Sequence, residues 1–374
     1  MARVLLFGFV LVFTIAVHAT TLADSRSVHL KYVNKALEKG AVCLDGSPAA
    51  YYHDKGVGDG RHNWVIYLQG GGWCSNHTDC KNRSTSGLGT STRFNKTLAF
   101  DTPFFNNNSS SNPEFYNWNR VFVPYCDGSS FTGNKEAVDP VTNVTYRGFR
   151  IFEATMDDLM SKGMKNAQNA ILSGGSAGGL AAMIHCDRFR DLLPITARVK
   201  CLAIASYFVH EAHLDGSKQF EAKFEGLISL HGSSKALPPL CTSRMNPSLC
   251  FFPQYFLPTI RTPVFIAMSS FDRVQIRYNL CLEDEVCLLH NNCTHERLKA
   301  MQDLRHYVLS KLPKACPSQR GVWITSCIAH DLPSYWKTTY GKVLSGWFID
   351  GSYTQVIEDS EIPRNCSSEG ISPI

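Results

Sequence analysis

The chain has 374 residues, 44% of them hydrophobic and 18% charged, which is ample for a large core and too apolar for a disordered polymer. Its net charge of +5 is spread along the chain. Without a Lys/Arg block, a zinc-finger spacing or an RNA-binding signature, nucleic acid is excluded as the expected partner. At this length roughly three quarters of the unfolded surface is buried on folding, so the chain needs no partner to fold and is read as a monomer.

The opening MARVLLFGFVLVFTIAVHA has a positive start at Arg3, an apolar run over 4–17 and a small-residue cleavage signal at Val17-His18-Ala19. The run is shorter than the roughly 20 residues of a membrane span, so 1–19 reads as a signal peptide. No later run reaches membrane length, and neither a hydrophobic tail nor a retention signal closes the sequence. A secreted protein without a stable membrane anchor is expected. The 14 cysteines fit that compartment as disulfides, and the absence of any CxxC pair argues against a metal site. Asn-x-Ser/Thr acceptors at Asn76, Asn82, Asn95, Asn107, Asn108, Asn143, Asn292 and Asn365 point to a glycosylated extracellular surface.

Behind the signal comes a helical or irregular lead-in. Continuous apolar runs follow at 64–69 (WVIYLQ), 120–126 (RVFVPYC), 170–173 (AILS), 201–208 (CLAIASYF), 263–270 (PVFIAMSS) and 322–327 (VWITSC). Runs that do not alternate are what strands covered on both faces of a parallel sheet require. Helical patterns lie between them at 148–164, 179–193, 295–312 and 333–347. Strand and helix in alternation predict an α/β fold with a mostly parallel sheet flanked by helices. The Ser/Thr/Asn/Gly-rich segment 76–113 reads as exposed loops, and the Pro- and Cys-bearing 236–254 as a disulfide-stapled insertion. With no repeat, heptad run or linker, residues 20–374 read as a single domain.

The sequence GGSAG around Ser176 matches a strand-to-helix nucleophile turn, preceded by the strand-like AILS and followed by an Ala/Leu-rich helix. A serine hydroxyl attacks only when a base takes its proton, so a histidine and an orienting carboxylate must exist. Asp272 ends the run PVFIAMSSFD and His330 follows WITSCIA, both at strand ends, where open α/β sheets place their sites. The competitors Asp284, Asp303, His290, His295 and His306 fall in helical or Cys-rich stretches, and Asp331 is too close in sequence to orient His330 easily. Ala177 and the glycine-rich loop YLQGGGWC, through Gly71 and Gly72, are the candidate oxyanion donors. No cofactor is expected. The segment HEAH at 210–213 misses the H-E-x-x-H zinc spacing, and GSSFTGNK at 128–135 misses the phosphate-loop pattern by one residue.

Together, LQGGGWC, PYCDGSSFTG, ILSGGSAGGLAA, CTSRMNPSLCFFPQY, SSFD and SCIAH resemble the plant pectin acetylesterases, a family related to Notum-type carboxylesterases. The resemblance runs from about Val28 to near the C-terminus. It implies an α/β-hydrolase-like fold and removal of acetyl groups from acetylated pectin in the cell wall. It also implies Ser176 as nucleophile, His330 as base, Asp272 as its partner, and Gly71, Gly72 and Ala177 as oxyanion donors. Two positions depart from the family's pattern: Gln69 stands where Glu is common, and Asp331 where Cys is usual, which puts one family disulfide in doubt. Two alternatives stay open: a Notum-like esterase acting on a longer acyl group, and a non-catalytic wall polysaccharide-binding protein on the same fold. Arg147, Arg150 and Arg273, near candidate site segments in sequence, tilt the reading toward an anionic saccharide.

Overall fold

The computed structural model describes residues 27–100, 105–211, 218–280, 293–313, 319–330, 336–349, 355–364 and 366. The signal peptide at 1–19 lies outside them, as do Cys281, Asp284, Cys287, His290, Asn292, Cys316, Asp331 and Asn365.

Ten strands form one sheet: β1 (Ser27–Tyr32), β2 (Ala50–Asp54), β3 (Asn63–Leu68), β4 (Thr97–Ala99), β5 (Asn119–Val123), β6 (Asn169–Gly175), β7 (Arg198–Ile204), β8 (Val264–Phe271), β9 (Arg320–Ile328) and β10 (Gln355–Ile357). Their order is β10-β9-β8-β7-β6-β3-β5-β2-β1-β4. From β10 to β5 every pairing is parallel, and β2, β1 and β4 close one edge antiparallel. This is the mostly parallel α/β sheet expected from the apolar runs, and it fits the α/β-hydrolase-like fold that the family resemblance implies.

Each of the six anticipated runs is a strand of the parallel part, and β8 is buried along its whole length. Its side chains alternate between two cores: Val264, Ile266 and Met268 on one face, Phe265 and Ala267 on the other. A strand covered on both faces has no polar side to show, which is why its sequence does not alternate.

The structure corrects three expectations. The lead-in contains a strand, β1, rather than a helix. The segment 76–113 is not loop alone: it holds the helix His77–Ser84, capped by the Asn76 side chain accepting from the Asp79 N–H at 2.8 Å, and the strand β4. The run 179–193 is two helices, Ala177–Ile184 and Cys186–Asp191, broken at His185. His185 is fully buried, stacked 4.2 Å from the Phe152 ring, and burial holds its imidazole neutral, down to about 3.

Disulfides join Cys43–Cys126, Cys74–Cys80, Cys186–Cys201, Cys241–Cys250 and Cys327–Cys366. Cys241–Cys250 staples the insertion at 236–254 as anticipated. Cys327–Cys366 ties down the end of β9, two residues before Ala329-His330.

Candidate active site

Ser176 sits between the end of β6 and the helix Ala177–Ile184, with φ 53° and ψ −126°. A side-chain-bearing residue held in so sparsely populated a region costs about 1–3 kcal/mol, so the surroundings must enforce it. The Ser176 N–H donates to the Ile204 carbonyl of β7 at 2.8 Å. The flanking glycines let the backbones close in. A Cβ on Gly178 would lie 2.0 Å from the Leu68 carbonyl oxygen, and one on Gly174 would lie 2.3 Å from that of Gly178. The turn lifts the hydroxyl off the sheet edge and aims the helix N-terminus, with its unpaired N–H groups, at the same place.

β8 and β9 deliver the other two side chains. A register shift between Ser269 and Phe271 turns the end of β8, and Asp272 follows it, 1% exposed. One Asp272 oxygen accepts the backbone N–H groups of Val274 at 2.9 Å and Gln275 at 3.1 Å. The other lies 2.8 Å from His330 Nδ1, and His330 Nε2 lies 2.8 Å from Ser176 Oγ. All three predicted residues therefore meet in one hydrogen-bonded relay, with a fifth of the His330 side chain open to solvent. Of the competitors, Asp303 pairs with Lys299 and His306 with Glu361 on the helix His295–Lys311, apart from the relay.

The glycine-rich loop lies against the serine turn. A Cβ on Gly70 would lie 2.3 Å from the Gly175 oxygen and 2.9 Å from Ser176 Cβ. Gly72 has φ +66°, the left-handed region that glycine enters without strain. The carbonyls of this loop are pinned from behind. Arg83 Nη1 donates to the Gly71 carbonyl at 2.9 Å, and the Tyr125 hydroxyl to that of Gly72, also at 2.9 Å. In a trans peptide the C=O and N–H point opposite ways, so holding the Gly71 oxygen aims the Gly72 N–H to the other side.

The segment after β5 supplies that support. Tyr125 accepts the Ser130 N–H at 2.9 Å, and Ser130 Oγ accepts the Trp73 indole N–H at 2.7 Å. Ser130 and Phe131 both have positive φ, held by Asp127 Oδ2, which accepts from the Ser129 hydroxyl and from the N–H groups of Ser129 and Phe131. Burial pushes the Asp127 carboxyl up to about 6, against these hydrogen bonds. The near-miss phosphate loop at 128–135 thus belongs to the rear wall of the glycine loop. Gln69 also has its place: its Oε1 accepts the Tyr125 N–H at 3.0 Å, a task a carboxylate oxygen would perform equally. Cys74, Cys80 and His231 lie together, yet the two sulfurs are bonded to each other. Burial holds His231 neutral, down to about 3, and its ring donates to the Cys74 carbonyl at 2.9 Å.

Aromatic rings fill the space beside His330. Phe208, at 6.4 Å between ring centroids, packs on Trp73 at 5.1 Å, and Trp73 on Phe224 at 5.1 Å. Phe251 and Phe252 complete a buried cluster. The cations singled out in the sequence fare differently. Arg147 is spent on the Lys135 and Glu136 carbonyls, and Arg150 on Asn134 and Glu136. Arg273 opens the helix Arg273–Leu280, half-buried, directly after Asp272. Arg83, which no sequence signal marked, is the cation on the glycine loop.

Fold and site together define an α/β-hydrolase-like carboxylic ester hydrolase. The chain belongs to the Pectinacetylesterase family, whose model matches residues 21–369. It is 43% identical over 366 residues to pectin acetylesterase 7 of Arabidopsis thaliana, covering 92% of this chain and 93% of the relative. Pectin acetylesterase 11 of the same plant is 41% identical, covering 96% and 97%. More distant is the mouse palmitoleoyl-protein carboxylesterase Notum, 26% identical over 80% of this chain and 60% of its own length. Among solved structures, the Wnt deacylase Notum from Drosophila superposes with a TM-score of 0.78 at 22% identity, over 90% of this chain and 98% of that one.

Proposed function

We propose that this protein is a secreted, glycosylated serine esterase that releases acetate from acetylated pectin in the cell wall. Ser176 acts as nucleophile, His330 as general base and acid, and Asp272 as the group that orients His330. The observation that carries this reading is the continuous relay from Ser176 Oγ through His330 to the buried Asp272, on a strained turn, in a chain of this family.

Ser176 Oγ attacks the acetyl carbonyl carbon as its proton passes to His330 Nε2, and the carbonyl oxygen takes the negative charge. The N–H groups of Gly71, Gly72 and Ala177 receive that oxyanion. Collapse breaks the ester bond, and His330 returns the proton to the departing sugar oxygen, leaving acetyl on Ser176. Water then attacks the acetyl-serine, giving its proton to His330, and acetate leaves as Ser176 recovers its proton.

The packed rings of Trp73, Phe208 and Phe224 beside His330 support a short acyl group over a long one. The intact relay supports an enzyme over a binding module. Asn76, Asn82, Asn95 and Asn143 are exposed, as glycan acceptors must be, and no helix among the described residues is long and apolar enough to cross a membrane. One continuous sheet supports reading 20–374 as one esterase domain.

Acetate release from acetylated pectin, set beside acetylated xylan and a long-chain ester, tests the proposal. Wild type should prefer the pectin and react with a fluorophosphonate, while Ser176→Ala should fold, lose labelling and lose activity. A Ser176→Ala variant within a few-fold of wild type would overturn the nucleophile assignment.

A further inference from the structure

Asp127 follows the end of β5 and is 1% exposed. One of its oxygens, Oδ2, accepts three donors: the Ser129 hydroxyl at 2.6 Å and the N–H groups of Ser129 at 3.1 Å and Phe131 at 2.9 Å. The same oxygen abuts the start of the helix Gly148–Ser161, where a Cβ on Gly148 would lie 2.1 Å from it. The cation facing the carboxylate is Arg83, from the helix His77–Ser84, and Tyr125, kept neutral by burial, faces it from its own segment. The turn gathered in this way has Gly128, Ser130 and Phe131 in the left-handed region, which Ser and Phe leave unless something holds them there.

This turn meets the glycine loop at three successive residues. The Ser130 N–H donates to the Tyr125 hydroxyl, and that hydroxyl donates to the Gly72 carbonyl. Ser130 Oγ accepts the Trp73 indole N–H, and the Gly128 carbonyl accepts the Cys74 N–H at 3.1 Å. Hydrogen bonds to an ionised oxygen are about twice as strong as neutral ones, so the charge on Oδ2 is what keeps the turn closed. Asp127 Oδ1 is buried with no hydrogen-bond partner among the described residues. A proton therefore adds at Oδ1, leaves the three donors in place and weakens all three bonds.

We propose that ionised Asp127 is the positioning residue of the oxyanion hole: its carboxylate closes the 127–131 turn, and the turn holds Gly72, Trp73 and Cys74 from behind. Asp127 touches neither substrate nor relay, and the inference rests on the reading of the glycine loop as an oxyanion donor. Burial pushes its carboxyl up to about 6, so the loop tightens as pH rises through that value.

Asp127→Asn tests this, because it keeps an acceptor oxygen for the three donors, removes the charge and puts the amide nitrogen where Oδ1 was. For wild type and variant, kcat and KM on a soluble acetyl ester are measured from about pH 5 to about pH 8. Rates are taken per active site, counted by fluorophosphonate labelling run to completion. At the alkaline end the variant's kcat should be about tenfold lower with KM little changed, since the oxyanion exists only in the transition state. Titration of the relay is common to both enzymes and cancels in their ratio, which should approach one as pH falls through about 6. A merely structural loss would lower Tm or the count of labelled sites and leave the ratio flat. Ser129→Ala removes the shortest of the three bonds, so the acid fall of kcat should move to higher pH. A folded Asp127→Asn within twofold of wild type at the alkaline end, a ratio that does not change with pH, or an unmoved acid fall in Ser129→Ala overturns the assignment. A wild type that takes no label and hydrolyses no acetyl ester overturns the esterase reading instead.

Discussion

Replacing Tyr125 by Phe removes one oxygen and leaves the ring in its place. That hydroxyl donates to the Gly72 carbonyl and accepts from the Ser130 N–H, each at 2.9 Å. Ser130 is fully buried, so its N–H loses its acceptor with no water to replace it, at about 1–3 kcal/mol. The half-buried Gly72 carbonyl loses a bond of about 1 kcal/mol, so the variant should be less stable by about 2–4 kcal/mol in all. The catalytic effect is separate. Freed at its carbonyl, the Gly72–Trp73 peptide can rotate, which removes one of the two rear anchors of the glycine loop and loosens the backbone that carries the proposed donors Gly71 and Gly72. Removing such a donor outright lowers kcat by about 100- to 1,000-fold; misaiming one should lower it by about 10- to 100-fold. Since the oxyanion exists only in the transition state, KM should change little. The assay is kcat and KM on a soluble acetyl ester, taken well below the variant's Tm. A Tm that falls while kcat stays within twofold of wild type would refute the reasoning, because the loop would then be held by something other than Tyr125.

Asp272→Asn should leave the relay's geometry in place, yet lower kcat about 10,000-fold, since the amide favours the wrong His330 tautomer; labelling kinetics with a fluorophosphonate would read this directly. Phe208→Ala should open space beside His330 and raise the rate on butanoyl and hexanoyl esters relative to acetyl, at about 3–5 kcal/mol in stability; an unchanged chain-length profile in folded protein would assign the limit to other rings. The protein should lose stability as pH falls below 6.5. Burial lowers His53 to about 4, and His185 and His231 to about 3, so the unfolded chain takes up protons in this window and the folded chain does not. Each such histidine removes about 2 kcal/mol by pH 5. Asp127, raised to about 6, works the other way: folding keeps its proton, so its term is favourable below 3.8 and fades as pH rises through 6. Three histidines outweigh one carboxyl, so Tm should be several degrees lower at pH 5 than at pH 7, and an equal or higher Tm would contradict this.

The parallel strands and the three relay residues were legible because each carries its own local signature. A strand buried on both faces is a continuous apolar run, and a nucleophile turn needs small residues at fixed offsets. Asp272 and His330 each follow such a run. The antiparallel edge carries weaker signals. β1, SVHLKY, is fully buried only at Val28, and β4 is three residues long. β2, AYYHD, is buried throughout, yet it ends in His53 and Asp54. Those polar groups are tolerated only because Asn119 and Arg120, some 66 residues away on β5, meet them at 3.2 Å and 2.6 Å.

The same distinction separates the cations. Arg147 and Arg150 were singled out for their place in the sequence, but the fold spends them on the 134–136 segment. Arg83 sits in a Ser/Asn-rich stretch that reads as loop, and only the Cys74–Cys80 closure and an Asn76-capped helix carry its guanidinium to the Gly71 carbonyl. Chemistry that depends on one residue type at the end of a strand can be found from one dimension. Chemistry that depends on which side of a peptide plane is held needs the partner atom, and here that atom is supplied by a loop packed from behind.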